Sequence, residues 1–585
     1  MKQFIMFICA LAFLAFTGSY ACGDKEVDAL TGGGKGSQNG GGNNGGNPPQ
    51  IDYSQAIIPP VITAVDESDY TAYYIDSESG SDDSDGLSPQ TPFKTLGKAV
   101  YLQKAPRTKL LLRSGARFEE QLVLKDLNGT PEKPFIVDVY GGIERPVVSG
   151  WSDYAVLIED DNLRLRNIKV TNKTGTRGIR VMTDRNGPGA FANLEITGCR
   201  IEEVNWAGDQ KFEGVNPETL NVEAIAPGNR FSQKEFGAII LETSGDAALG
   251  PCWFENVFIT NNEIRQVCRQ GILITGKWGR REEPGGGLNK YIDDEHNFWP
   301  HKNVVIQGND FNYIGGDGVD IMGCDGAFID HNRCFNANFL GRSGQASAGL
   351  WPYNCINVVM QFNEAAYTWL AHGSADGQGL DVDMACRNTI VQYNYVHHNA
   401  GGGMLLCNSK DGDHTGTVIR NNIFSENEAG GLRGSLMTVS GCVGATEVYN
   451  NIVIVAGSAA PKILYSDDWP KSGKSADMHF RNNIFLSRSP AAAVFDRHNM
   501  EESCTFRNNL FFQAGSAYQI DGAPLRYDPK IPAMAGSPDG FSRAMMLRPG
   551  EAAVYRDGLL FDGMLEKDIA GNPTQGVAYV GAFAK

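Results

Sequence analysis

The chain has 585 residues, 42% of them hydrophobic and 20% charged, with a formal net charge of −17. That length can bury one large domain or a few ordinary ones, and the acidic balance excludes the charge footprint of a nucleic-acid binder or of docking on an anionic membrane. Glycine supplies 70 residues, well above the usual ~7%, without a G-X-Y period, so the architecture must contain many tight turns.

The N-terminus comes first in chain order. Met1–Ala21 carries one early Lys, an apolar run from Phe4 to Phe16 and then small residues, the pattern of a secretory signal peptide. Ser19-Tyr20-Ala21-Cys22 resembles a bacterial lipobox, which implies acylation at Cys22 and a place on the outer membrane or cell surface. Gly32–Asn47 holds nine glycines among polar residues, a flexible composition. Residues 22–69 are therefore expected to be a tether, with the lipid as the sole membrane contact, and 70–585 the folded domain. No zinc-type CxxC spacing occurs among the twelve cysteines. Cys324 and Cys355 are disulfide candidates in an exported protein, and buried thiols are expected for most others.

From about residue 190 one short pattern returns: an apolar residue, polar residues, an Asn, then another apolar stretch. Its last Asn falls at Asn262, Asn309, Asn332, Asn363, Asn394, Asn422, Asn451, Asn483 and Asn509. The intervals are 47, 23, 31, 31, 28, 29, 32 and 26 residues, the range of a solenoid. The runs alternate with period two and end in Gly or Asn turns, which excludes helical repeats and leaves a parallel β-helix. Stacked Asn side chains can bond along the axis, and Asn tolerates a left-handed turn. The ladder is thus structural rather than catalytic.

This ladder resembles the right-handed parallel β-helix (pectin-lyase-like) superfamily of carbohydrate-active enzymes. The segment Tyr73-Tyr74-Ile75-Asp76, Gly80-Ser81-Asp82, Asp85-Gly86 and Thr91–Leu96 resembles the start of many secreted members, with Phe93–Leu102 as a capping helix. Asp568–Pro573 and Val580–Phe583 resemble their closing segment. The resemblance implies an all-β, single-stranded solenoid with core coils over about 150–515 and a closing segment over 516–585. It specifies the fold more than the activity, because one β-helix hosts hydrolases, lyases, epimerases, esterases and adhesins.

A second register places a Gly before short strands at Gly237, Gly271, Gly318, Gly349, Gly379 and Gly403. If these glycines align, Ile239, Leu273, Asp320, Trp351, Asp381 and Leu405 form one column. Leu241, Thr275, Met322, Tyr353, Asp383 and Cys407 form a second column on the same face. In the middle coils that face is acidic and aromatic, as a sugar-cleaving groove requires. Asp320 and Asp381 would lie roughly 10 Å apart across two coils, and Asp381 and Asp383 about 7 Å apart along a strand. Such separations suit the ~6.5–9.5 Å of an inverting glycosidase better than the ~5–5.5 Å of a retaining one. Asp320, Asp381 and Asp383 are accordingly the candidate catalytic acid and base. The same three carboxylates could instead bind calcium or form a solvated face.

Candidate sugar contacts are Trp351, Tyr353, His372, His397, His398 and Arg280, the last in an insertion over Lys277–His301. Ala375-Asp376-Gly377-Gln378-Gly379-Leu380-Asp381 resembles the Asp-Gly-Phe block of family-nine pectate lyases, but the lysine base that follows there is replaced by Asp381 and Asp383. The acids point instead toward a hydrolase, similar to the β-helices of glycoside hydrolase family 141. The expectation is a monomeric, extracellular glycoside hydrolase acting on a poly- or oligosaccharide, with no required cofactor. A calcium-dependent lyase of uronic-acid glycans is second, and a non-catalytic adhesive β-helix third.

Overall fold

The computed structural model describes residues 57–585 except 103–106, 184–187, 207–219, 223–232, 245, 247, 280–297, 341–346, 372–375, 410–412, 428–434, 456–461, 470, 472, 490–493, 535 and 563. Within the described residues, three long parallel sheets of 14, 13 and 12 strands run side by side, each pairing a strand with the equivalent strand one coil on. In chain order a coil visits the 14-stranded first sheet, the 13-stranded second sheet and the 12-stranded third sheet. This is the expected parallel β-helix. Alternate side chains of all three sheets point inward and stack into one apolar column from Ile75 to Ala517.

Three boundaries differ from the expectation. Complete coils begin at strand Thr108–Arg113 rather than near residue 150, and they end at Leu510–Phe512. Residues 57–69 belong to the folded body rather than to a tether. Ile57 packs on Ile390, Val418 and Tyr449, its carbonyl accepts from Gln361 Nε2 at 2.8 Å, and Glu67 pairs with Arg166 at 2.8 Å. The capping helix is shorter, Leu96–Leu102. Phe93 forms a bridge to Ile75, and the Thr95 hydroxyl accepts the Lys98 N–H at 3.1 Å, so Thr95 ends the extended segment and starts the helix.

The Asn ladder occurs at the turn from first to second sheet. Asn262 Nδ2 donates to Asn309 Oδ1 at 2.9 Å, and the chain of donors continues unbroken to Asn483, which donates to Asn509 at 2.9 Å. Asp521 ends it by accepting from Asn509 Nδ2 at 2.8 Å. The left-handed residue is the one before each ladder Asn, not the Asn itself: His331, Phe362, Tyr393, Asn421, Asn450, Asn482 and Asn508 all have φ between 52° and 60°. The ladder Asn must turn its amide into the coil, so the neighbour carries the reversal.

The glycine column opens the third-sheet strands, with one shift. Gly237 pairs with Gln270 and Ile239 with Ile272, so Ala238, not Gly237, shares the column with Gly271. Ile240 and Glu242 therefore take the outward positions assigned to Ile239 and Leu241. These corners are tight: a Cβ on Gly349 would lie 2.4 Å from the Gly379 carbonyl oxygen. Gly349→Ala is expected to cost about 1–3 kcal/mol, read as a lower melting temperature, whereas Ala238→Gly should be tolerated.

The closing segment, 516–585, runs back along the outside of the second sheet. Ile531, Leu547, Val554, Ile569 and Val580 cover Tyr395, Ile423, Ile452 and Ile484 there. Asp568 fastens it, accepting from Asn572 N at 2.8 Å and Ala584 N at 2.9 Å. Cys324 and Cys355 are buried thiols; they touch through Cys324 N–H to Cys355 Sγ at 3.3 Å without a bond between sulfurs.

Candidate active site

On the third sheet, Val319, Ile321, Leu350, Leu380 and Val382 point into the core, which turns Asp320, Trp351, Asp381 and Asp383 outward. Pairing sets Leu273 beside Asp320 and Asp320 beside Trp351. The Leu350–Leu380 pair then puts Asp381 next to Trp351 and Asp383 next to Tyr353. The structure thus brings Asp320, Asp381, Asp383, Trp351 and Tyr353 onto one face.

Their exposure differs. Asp320 is 0% and Asp381 3% exposed, and Trp351 is 3% exposed, whereas Asp383 and Tyr353 stay partly open. Insertions occupy the turn between the second and third sheets. Trp206, Phe339, Leu340 and Trp369 form an apolar cluster there, joined by Leu220 and Phe236 of the long 205–236 insertion. That insertion contributes a short strand, Asn221–Val222, which pairs with Leu370–Ala371 several coils away.

It also contributes Lys234. Its Nζ lies 3.1 Å from Asp320 Oδ2 and 5.0 Å from the centroid of the Trp351 ring. Neither Asp320 oxygen has a well-aligned hydrogen-bond donor among the described residues, so the ammonium is its one close positive partner. Behind it, Arg269 pairs with Asp317 at 3.4 Å, and Asp317 accepts from the Ala348 N–H at 2.9 Å.

Electrostatics separate the acids. Burial pushes the Asp320 carboxyl up to about 7; Lys234 opposes the rise and Asp317 adds to it. Asp383 is crowded without being sealed from solvent, and that crowding, with the negative charge of Asp376, pushes it up to about 6. The Met384 N–H, Lys234 and the Cys407 thiol pull the other way. Asp376 lies just ahead of strand Gln378–Val382 and is partly exposed. Met322, Ala348 and Trp351 form the apolar floor, with Tyr353 against it.

A raised carboxyl pKa makes the folded state the stronger proton binder, so stability falls as pH rises. For Asp320 the fall spans the interval from the ordinary value near 4 up to about 7. Asp320→Asn should flatten the decline of melting temperature across that window, as a pH series of thermal melts will show.

The remaining candidates lie elsewhere. His397 ends strand Tyr395–His397 of the second sheet, not the acidic face. Its Nε2 meets Glu364 Oε1 at 3.1 Å, the same oxygen that accepts from Gly540 N at 2.6 Å. Burial pushes the His397 pKa down, and His398 faces Glu426 at 3.4 Å. Through Glu364, His397 is connected to Gly540 of the closing segment. Cys22, Arg280 and His372 lie outside the described residues. Among the described residues no group of three His, Cys, Asp or Glu side chains stands close enough to hold a metal ion.

Sequence reasoning missed Lys234 and the part played by Asp376. Lys234 belongs to a stretch without repeat character, 86 residues before its partner Asp320, and gives no local signal. Asp376 stands in the Asp-Gly block, whose resemblance points to a lyase and gives no sign of a charge acting on Asp383.

Residues 238–453 match the family described as "Right handed beta helix region". A lacto-N-biosidase of Bifidobacterium longum subsp. longum is 24% identical over a 616-residue alignment that takes in 89% of this chain and 37% of that protein. The chain therefore spans little more than a third of the length of that relative. The GH136 lacto-N-biosidase of Eubacterium ramulus superposes with a TM-score of 0.50 at 18% identity, over 78% of this chain and 68% of that one. Its selenomethionine derivative gives 0.51 at 18% identity, over 78% and 67%. These likenesses agree with the right-handed parallel β-helix built above.

Proposed function

We propose that the acidic face of the third sheet is the active site of an extracellular glycoside hydrolase acting on oligosaccharides. The observation that carries this is Asp383, a partly open carboxyl pushed up to about 6 by crowding and by Asp376, beside the aromatic pair Trp351 and Tyr353. A group that keeps its proton close to neutral pH can protonate a departing glycosidic oxygen. Asp383 is the general acid in this reading. Asp376, the carboxylate whose charge acts on it, is the partner that activates water or attacks the anomeric carbon.

Tyr353 offers the accessible ring for a sugar. Trp351 lies deeper, with Lys234 over its face, and backs that ring. Asp320 and Asp381 are buried on the same face, and Lys234, paired with Asp320, also draws the Asp383 carboxyl down. Asp320 already has an ammonium beside it, so no calcium is needed for charge balance, and EDTA should leave turnover unchanged.

The similarity to lacto-N-biosidases makes lacto-N-biosides the first substrates to try. Digestion of a neutral oligosaccharide panel with product analysis tests the reading: release of a reducing sugar supports it, and no product from any glycan overturns it. Lys234 favours a second reading, since a lysine beside acids could serve β-elimination. Its ammonium is engaged by Asp320, however, and ultraviolet absorbance from an unsaturated uronide product would be the mark of that chemistry.

The enzyme is further proposed to be a monomeric surface lipoprotein anchored through Cys22, on the strength of the lipobox-like segment and the glycine-rich stretch after it. Cys22→Ala should abolish labelling by a radioactive fatty acid and move the protein from the membrane fraction to the soluble one.

A further inference from the structure

A cavity lies far from the acidic face, on the outside of the first sheet at its C-terminal edge. It holds about 540 Å³, within the ~300–1,000 Å³ usual for small-molecule sites. Register builds its floor. Glu447, His479 and Thr505 stand in line across three neighbouring strands, and Tyr449, Arg481 and Arg507 in the next outward line. The closing segment supplies the wall with Leu559, Leu560 and Phe561.

The polar groups of this floor are unequally engaged. Arg481 pairs with Glu447 and lies over the Phe561 ring, 4.6 Å from its centroid. His479 Nδ1 and Thr505 Oγ1 are 2.8 Å apart, which leaves Nε2 for another partner. Arg507 is exposed and has no carboxylate partner among the described residues. Leu560, beside it, is 59% exposed. On a chain of net charge −17, an uncommitted guanidinium at a cavity mouth, next to an imidazole and an apolar wall, is an unusual combination.

A guanidinium fork matches a carboxylate in two parallel hydrogen bonds, and an aromatic or aliphatic wall takes the C–H face of a pyranose. We propose that this cavity is an accessory binding site for an acidic monosaccharide unit, a pyranose bearing a carboxylate. Arg507 holds the carboxylate, His479 a neighbouring hydroxyl, and Leu560 with Phe561 the ring face. The site would fix the protein to acidic glycans while the third-sheet face, on the other side of the coil, works independently. It does not rest on the hydrolase reading.

The test is titration of the full chain with methyl glucuronide, N-acetylneuraminate, methyl glucoside and acetate, followed by NMR or calorimetry. Binding of either acidic sugar with a Kd on the order of 1 mM (about −4 kcal/mol) is expected, with the glucoside and acetate each at least tenfold weaker. The two acidic sugars distinguish a uronic from a sialic acid source. Arg507→Gln should abolish this binding and Arg507→Lys should keep part of it, both with an unchanged melting temperature because the side chain is exposed. Asp383→Asn should leave the binding intact, which separates this site from the hydrolase site. Equal binding of glucoside and glucuronide, or unchanged binding by Arg507→Gln, would overturn the proposal, as would loss of binding in Asp383→Asn.

Discussion

Asp383→Asn lowers turnover about 10²–10⁴-fold, the range that a positioned general acid contributes, while melting temperature changes little because the side chain is partly open. The pH profile carries the sharper reading. The carboxyl is held at about 6 in the wild type, and a general acid must be protonated, so activity falls as pH rises through that value. Removing the charge of Asp376 with Asp376→Asn takes away a cause of the raised pKa and moves this limb to lower pH, alongside a loss of turnover. Lys234→Met removes a charge that lowers both Asp383 and Asp320, so the limb moves to higher pH. Because the acids interact, the limbs belong to the group of carboxyls rather than to one residue. Opposite shifts from the two substitutions are the signature; shifts in the same direction would sink the assignment of Asp383.

Asn394→Ala is expected to have the largest effect on folding. Asn394 Nδ2 donates to Asn422 Oδ1 at 3.0 Å and to the Met360 carbonyl at 2.9 Å, and its Oδ1 accepts the Asn363 N–H at 3.0 Å and Asn363 Nδ2 at 3.0 Å. The site is 0% exposed, so each abandoned partner loses its bond with no water to replace it. At about 1–3 kcal/mol for each unsatisfied buried group, the loss amounts to several kcal/mol, comparable with the whole stability of an ordinary domain. Low soluble yield and a strongly reduced melting temperature are the readouts. Asn509→Ala, at the last Asn rung, should cost a similar amount: it is 0% exposed and makes the same four contacts, accepting from Asn483 N and Nδ2 and donating to the Phe480 carbonyl and to Asp521.

The contrast between the ladder and the acidic face shows how much the sequence could reveal. Asn394 was legible because a ladder needs the same residue at the same place in every coil, and repetition at intervals of 23–47 residues survives in a linear string. The outward position of Asp320, Trp351, Asp381 and Asp383 was legible for the same reason: alternation along a strand is a local property. Even there the Gly237 coil was misaligned by one residue, since Ala238 fills a corner where glycine was expected. His397 is close to the acids in sequence, yet less than one turn of the coil carries it from the third sheet to the second.

The amino-acid sequence by itself therefore determined the solenoid, its ladder and the acidic strand face, all consequences of short-range periodicity repeated along the axis. Tertiary structure alone decided which acid is pressed by which charge. Lys234 reaches Asp320 from an insertion whose short strand crosses to a later coil, and Arg507 acquires its apolar wall from a closing segment that folds back past it. Burial and Coulomb interaction depend on distance in space, and insertions bring together charges that no sequence spacing relates.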